Sequence, residues 1–172
     1  NTNAGQITGI IYDASTNLPL SGATIEIEEH SGSVLKPRKT NEFGRFRRIL
    51  DAGTYNINIS KLGYLPLSSS SVANNSAITN INYALEPAPT HAVGFEFFGD
   101  IEIDQVKILV TSGLDSGQLT YGSPALSNVP EASYTFEITG IDMPWKKSFY
   151  LNESKYFSIP VSNSVSFDLV DE

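Results

Sequence analysis

Alternation of apolar and polar residues is the feature of this sequence that most restricts its fold. Tyr55, Ile57 and Ile59 alternate with polar residues, and the same two-residue period recurs at 23–28 and 81–85. In a β-strand this pattern places the apolar side chains on one face of a sheet. No long stretch keeps the spacing of an amphipathic helix. The sequence therefore predicts an all-β fold.

A proline-containing segment divides the chain. In "EPAPTH", residues 86–91, two prolines stand two residues apart and disfavour both a helix and a strand ladder. Strand-like alternation resumes beyond this segment, for example at 134–138. We therefore predict two β-sandwich domains, at 1–87 and 92–172, joined by a Pro-rich linker at 88–91.

Charge is distributed unequally between the two halves. Residues 1–85 carry seven basic and six acidic side chains, a net charge of +1, whereas residues 86–172 carry four basic and thirteen acidic ones, a net charge of −9. The two predicted domains are therefore electrostatically distinct.

Composition narrows the class of protein. The chain has no cysteine, which excludes a disulfide framework, a thiolate zinc site and a cysteine nucleophile. No apolar run reaches the roughly 18 residues that would span a bilayer, and the start at Asn1 predicts a processed or trimmed chain. Few basic residues and many Ser, Thr, Asn and Tyr are typical of secreted β proteins. We expect an extracellular, periplasmic or outer cell-surface location.

Three segments of the first half occur in a familiar order: "GQITGIIYDASTNLPLSGATIEI", "TNEFGRF" and "DAGTYNINISKLGY". Over residues 5–87 they resemble the carboxypeptidase regulatory-like domain, a transthyretin-like (prealbumin-like) sandwich of seven strands. That domain occurs beside metallocarboxypeptidase catalytic domains and on bacterial surface proteins. Asn41 stands where the family usually has Asp, which preserves the turn chemistry. The motif residues are Gly22, Gly44, Phe46, Gly53, Tyr55, Gly63 and Tyr64.

Each motif also has a physical reading. Gly22 and Gly63 allow the chain to turn with positive φ, and Gly44 is predicted to close a tight hairpin in "TNEFGRF". Phe46 begins a core that should also contain Tyr55, Ile57 and Ile59. The Tyr55 phenol is expected to bond a nearby backbone group, as in a tyrosine corner. The second half resembles no family and is expected to be another sandwich, Ig-like in the broad sense.

Basic residues concentrate around the "TNEFGRF" turn. A hairpin there would bring them into one patch that could bind a polyanionic glycan, a lipid headgroup or the acidic second domain. The commoner role of such a cluster is a solvated face or pairing with Glu26, Glu28 and Glu29. Nucleic acid is disfavoured by the overall charge of −8 and by the absence of interleaved aromatic residues. The candidate binding residues are Lys36, Arg38, Lys39, Arg45, Arg47 and Arg48.

Acidic residues alternate with isoleucine in "GDIEIDQ". This places Asp100, Glu102 and Asp104 on one strand face, where carboxylates could bind Ca²⁺. Successive carboxylates would lie about 6.6 Å apart, so one ion would reach at most two of them. A solvated face is the commoner role of this pattern, and calcium is the alternative.

Aromatic residues offer a further binding surface. Trp145 and Tyr150 flank two lysines in "MPWKKSFY", and exposed rings on a sheet can stack on sugars. Core or edge packing is the commoner role of such residues. If the two rings were exposed instead, a surface glycan would be the alternative partner.

The residues that hydrolytic chemistry requires are scarce. The only histidines are His30 and His91, and the "YRGS" tetrapeptide of hydroxyisourate hydrolases, which share the transthyretin sandwich, does not occur. We expect no enzymatic activity and no obligatory cofactor. The sequence favours an accessory module of a larger secreted or cell-surface protein, such as a peptidase with a covalently linked catalytic domain. The alternative is a stand-alone adhesion or structural protein that binds a surface polymer.

Overall fold

The computed structural model describes residues 4–29, 32, 34–98, 107–112, 115–121 and 125–160. These residues form strands and turns, and the chain divides into two compact units, Asn1–Ala88 and Pro89–Glu172. None of the described residues belongs to a helix that is long and apolar enough to cross a membrane. The all-β fold class predicted from the two-residue period is confirmed.

The first unit is a sandwich of two sheets. One sheet has the strand order β4-β1-β7, with β8 also paired to β1, and the other has the order β3-β2-β5-β6. Its strands are β1 (Gly5–Asp13), β2 (Thr24–Glu28), β3 (Arg38–Lys39), β4 (Arg45–Leu50), β5 (Gly53–Ser60), β6 (Leu67–Ala73), β7 (Ile78–Asn80) and β8 (Tyr83–Leu85).

The strands β7 and β8 follow one another along β1, and both run parallel to it. They are separated at Ile81 and Asn82, where the Ile81 amide donates to the Thr8 carbonyl oxygen (2.8 Å) and the Asn82 side chain accepts from the Ile10 amide (3.0 Å). Counted as one interrupted strand, they give the first unit the seven strands expected of a transthyretin-like sandwich.

The core of the first unit lies between its two sheets. It contains the inward residues of each alternating strand, including Phe46, Tyr55, Ile57 and Ile59, which were predicted to be buried together. The ring of Phe46 packs against that of Tyr83, with centroids 6.4 Å apart. Burial of this apolar face is the main stabilising contribution to the sandwich.

The predicted hairpin at "TNEFGRF" is wrong. The strand β3 pairs with β2 in one sheet, and β4 pairs with β1 in the other. Buried Thr40 accounts for this, because its hydroxyl donates to the Leu20 carbonyl oxygen (2.6 Å) and accepts from the Ala23 amide (2.9 Å). These bonds hold the end of β3 against the segment entering β2. The turn that follows, with Gly44 at φ 68°, carries the chain across to the other sheet.

The second unit also contains two sheets in its described residues, with strand orders β11-β10-β13-β14 and β12-β9-β15. Strand β9 begins at Thr90, which pairs with Pro130. Thr90 and His91 are thus strand residues, although they were predicted to belong to the linker. The strands are β9 (Thr90–Phe98), β10 (Lys107–Ser112), β11 (Asp115–Tyr121), β12 (Ala125–Pro130), β13 (Ala132–Thr139), β14 (Trp145–Leu151) and β15 (Lys155–Pro160).

The core of the second unit combines buried aliphatic residues with a cluster of aromatic rings. Phe136 is fully buried and stacks on Phe149, with centroids 5.3 Å apart, while Phe95 contacts both Phe136 (5.8 Å) and Phe157 (5.6 Å). Ring pairs at such distances stabilise a core beyond the area they bury. Together with the two sheets, this core is consistent with the second predicted sandwich.

Candidate functional site

A basic groove lies along the edge of the first sandwich, where β3 and β4 are edge strands of different sheets. It is an open cavity of about 640 Å³. Of the described residues that line this cavity, five are cationic and none is acidic. The lining residues of this basic groove are Leu35, Arg38, Lys39, Asn41, Arg45, Phe46, Arg47, Arg48 and Ile49.

The alternation of β4 sorts its side chains between the core and the groove. Phe46 is buried, whereas Arg45, Arg47 and Ile49 are exposed. Arg48 shares the inward register of Phe46 but is only half-buried, because β4 is the last strand of its sheet. An edge position therefore lets cations occupy both faces of one strand.

Arg48 is the most enclosed cation of the groove. Burial, and then repulsion by the charge of Arg38, lowers the pKa of the Arg48 guanidinium from its ordinary value. A guanidinium remains protonated under physiological conditions, so the repulsion is retained in the folded protein. An anion placed between Arg38 and Arg48 would relieve it.

The cations of the basic groove have no carboxylate partner in the described part of the chain. Ion pairs there join Lys146 to Glu137 and Lys155 to Glu153, and His91 lies near Glu131, all in the second unit. The pairing predicted as an alternative role for the cluster is thus not seen for Glu26 or Glu28 among these residues. As far as the described residues go, the positive charge of the groove is therefore not compensated by an ion pair.

A second depression adjoins the basic groove on the outer face of the sheet. It has a volume of about 480 Å³, and Arg45 and Arg47 line it together with Thr8, Asn80 and Asn82. The two arginines can therefore be reached from both depressions. Their neighbours on this face supply amide and hydroxyl groups that can donate and accept hydrogen bonds.

The structure brings together five of the six predicted basic residues. Lys36 is exposed and does not line the groove. The cations meet because two sheet edges lie side by side, not because of a hairpin. The sequence did not single out two apolar residues of the groove, Leu35 and Ile49. For Ile49 the alternation of "RFRRIL" was the available signal.

Two of the motif glycines, Gly22 and Gly63, adopt the turns predicted for them. Gly22 and Gly63 have φ angles of 72° and 90°, a region that favours glycine. Gly53 differs, because it is the first residue of β5. Tyr55 is buried, and its hydroxyl donates to the Asp51 carbonyl oxygen at 2.9 Å. The second unit repeats this bond, which the sequence reasoning missed, between Tyr134 and Pro130 at 2.7 Å.

Tyr64 belongs to a polar cluster around Asp13 that the sequence reasoning also missed. The Tyr64 hydroxyl donates to Asp13 Oδ2 (2.8 Å), and the amides of Ser15 and Thr16 donate to Asp13 Oδ1 (2.7 and 2.9 Å). Chiefly because of the Tyr64 bond, the pKa of Asp13 is lowered, while burial and the same bond raise the pKa of Tyr64. The cluster fixes the turn after β1, which is a structural role.

The predicted calcium residues Asp100, Glu102 and Asp104 lie outside the described residues, as does His30. Within the described ranges, no group of three or more His, Asp or Glu side chains is arranged to hold a metal ion.

Trp145 and Tyr150 do not share one face, and Trp145 has the packing role that the sequence favoured. An odd number of positions separates them on β14, so they point to opposite faces of the sheet. Trp145 is half-buried and packs against Phe95 (5.9 Å) and Phe157 (5.2 Å) in the aromatic core. The exposed Tyr150 hydroxyl donates to Glu131 Oε1 at 2.9 Å.

Comparison with known proteins places the first unit in a family. Residues 6–86 match the carboxypeptidase regulatory-like domain. Human carboxypeptidase D is 30% identical over 88 residues, which are 51% of this chain and 6% of that protein. Rat carboxypeptidase D is 32% identical over 82 residues, which are 47% of this chain and 6% of that protein. The chain thus spans a small fraction of the curated relatives it matches.

Among solved structures, a streptococcal ancillary pilin superposes with a TM-score of 0.49 and 12% identity, over 95% of this chain and 64% of the pilin. The family match coincides with the first sandwich and its turn glycines. Residues 6–86 of this chain therefore belong to the carboxypeptidase regulatory-like domain family.

Proposed function

We propose that this chain is a non-catalytic accessory module of a larger secreted or cell-surface protein and that it binds a polyanionic ligand through the basic groove. One observation carries the binding proposal: Arg38, Lys39, Arg45, Arg47 and Arg48 line one cavity, and none of them is paired with a carboxylate among the described residues. Converging unpaired cations raise the local concentration of anions and stabilise their bound state.

A charge reversal tests the binding proposal. Arg47→Glu should weaken binding of a labelled polyglutamate, measured by fluorescence anisotropy, by about tenfold or more, because it removes one cation and adds a repelling charge. Lys61→Glu makes the same change in net charge outside the groove and is the matched control. Binding should also weaken as salt rises. Equal effects of the two substitutions would show that only the overall charge matters and would overturn the proposal.

The family match favours a peptidase as the larger protein. The matched relatives are carboxypeptidase D, and the chain covers 6% of each. A peptide map of the natural polypeptide should show a peptidase domain joined to this segment, and the isolated 172-residue chain should not cleave peptides when zinc is added. A secreted polypeptide with no further domain would instead support the adhesion or structural role. Zinc-dependent cleavage by the isolated chain would contradict both.

A further inference from the structure

The edge of β4 has main-chain groups that are available for pairing. The Gly44 carbonyl oxygen accepts from the Ile11 amide at 2.8 Å. Because the direction of the main-chain groups alternates along a strand, the N–H and C=O groups of Phe46, Arg48 and Leu50 also point toward β1. In an antiparallel ladder the residues between them direct their N–H and C=O groups the other way. Those residues are Arg45, Arg47 and Ile49, all of which line the basic groove.

Only the first of these three residues has its edge groups occupied. The Arg45 carbonyl oxygen accepts from the Asn41 amide (3.1 Å), and the Arg45 amide donates to Asn41 Oδ1 (2.9 Å). For Arg47 and Ile49, the described part of the chain supplies no hydrogen-bond partner on this side. Two consecutive edge positions can therefore accept a further strand.

The two faces of this edge carry different sets of side chains. Arg45 and Arg47 project from the outer face of the sheet, whereas Phe46 and Leu35 are apolar and belong to the core side. Paired residues on neighbouring strands place their side chains on the same face. A strand added here would thus meet Arg45 and Arg47 on its outer face, and Arg48 beside the apolar Phe46 and Leu35 on its inner face.

We propose that the polyanionic ligand of the basic groove is an extended acidic polypeptide segment that pairs with β4 as an additional strand. Its carboxylates alternate with apolar residues, so that the carboxylates meet Arg45 and Arg47 while the apolar side chains turn toward Leu35. Main-chain bonds form at Arg47 and Ile49. The inference rests on the polyanion binding proposed above and specifies the class of ligand.

A second copy of this chain fits the edge poorly. Pairing β4 with another β4 would bring Arg45 and Arg47 of the two copies close together, and like charges opposite one another destabilise a sheet. A sulfated glycan could satisfy the cations but would leave no role for the apolar Leu35 and Ile49 that line the groove or for the main-chain groups of its edge. The acidic strand uses the charge, the apolar residues and the free edge together.

Amide hydrogen exchange measured by NMR tests the inference on the whole chain. The probe is a ten-residue synthetic peptide in which Glu and Val alternate. Its binding should slow exchange of the Arg47 and Ile49 amides by about tenfold or more, because they become hydrogen-bonded. The Arg45 amide, which already donates to Asn41, should change little.

The other outcomes separate this inference from the proposed function. If the peptide binds without slowing exchange at Arg47 and Ile49, the groove binds polyanions but strand pairing is wrong. If a sulfated glycan binds and the peptide does not, the ligand is a glycan and this inference is overturned. If neither binds, the proposed binding function itself fails.

A pair of substitutions at one position isolates the main-chain bond. Ile49→Pro removes an N–H group that points away from β1, a position where an edge strand tolerates proline, and Ile49→Ala removes a similar apolar contact but keeps the N–H. The proline variant should bind the alternating peptide about tenfold more weakly than the alanine variant. Equal binding by the two folded variants would show that the Ile49 amide does not pair with the ligand.

Discussion

Phe46 and Arg47 are adjacent in the sequence but differ in environment, because β4 alternates between the core and solvent. Phe46 is 6% exposed and contacts Tyr83, so we expect Phe46→Ala to lower the free energy of unfolding by about 3 to 5 kcal/mol through the cavity it leaves. Arg47→Ala should change it by less than about 0.5 kcal/mol. Urea unfolding measures both. Equally small effects would mean that the register of β4 is wrong.

Gly9 is required by a close approach of two backbones. A Cβ atom at this position would collide with the carbonyl oxygen of Ile81, at the interruption between β7 and β8. Gly9→Ala should therefore lower the free energy of unfolding by about 1 to 3 kcal/mol or more, as overpacking does. Gly53→Ala is the control, because a Cβ there would meet only ordinary contacts with the Tyr55 ring. Similar unfolding midpoints for the two variants would contradict the close approach.

The Asp13 cluster predicts a pH dependence of stability. The folded carboxyl has a pKa below the ordinary value of 3.8, mainly because of the Tyr64 bond. Such a carboxylate stabilises the fold above its unfolded pKa, and this contribution is lost as the pH falls through the depressed folded pKa. The destabilisation caused by Tyr64→Phe should therefore be constant near neutral pH and shrink in that acidic range. Urea unfolding across pH measures it.

The control for this pH series is Tyr12→Phe on β1, whose effect should not follow the Asp13 titration. A Tyr64→Phe effect that stays unchanged while Asp13 titrates in the folded protein would contradict the contribution of this bond. The sequence could not reveal the bond between Tyr64 and Asp13, because 51 positions separate these two residues. Tyr55 was predictable, since its bond to Asp51 spans only four residues.

At the scale of the elements, the strands were easier to predict than their pairing. The two-residue period located β1, β2 and β5 because each has one buried face. The partner of β4 could not be predicted in this way, since a tight turn between two strands fits either a hairpin or a crossing between sheets. Here Thr40 holds the end of β3 against the segment before β2, through its buried hydroxyl and through main-chain bonds with Gly22 and Ala23.

Thr40 therefore offers a test of the crossing. Thr40→Val keeps the shape of the side chain but leaves the Leu20 carbonyl and the Ala23 amide without this partner in a buried site, which should cost about 1 to 3 kcal/mol. Thr54→Val, at an exposed position of β5, is the matched control and should be close to neutral. Chemical unfolding of the two variants provides the comparison, and a neutral Thr40→Val would remove Thr40 as the cause of the crossing.

At the scale of the whole molecule, each unit has a core of different composition. Both cores contain buried aliphatic residues, and the second adds a cluster of four rings, Phe95, Phe136, Phe149 and Phe157. The charge also differs, at +1 for residues 1–85 and −9 for residues 86–172. The basic groove is thus confined to the less acidic half, where a polyanion meets less repulsion from the same unit.

Separate cores predict that the two units unfold independently. Phe46→Ala should accelerate amide exchange in residues 5–85 and leave residues 90–160 unchanged, because the cavity lies in the first core. Phe136→Ala is the reciprocal variant, since Phe136 is fully buried in the second core. Hydrogen exchange followed by mass spectrometry resolves the two regions in one sample. If either substitution accelerates exchange equally in both regions, the chain unfolds as one cooperative unit and the predicted division into two domains is wrong.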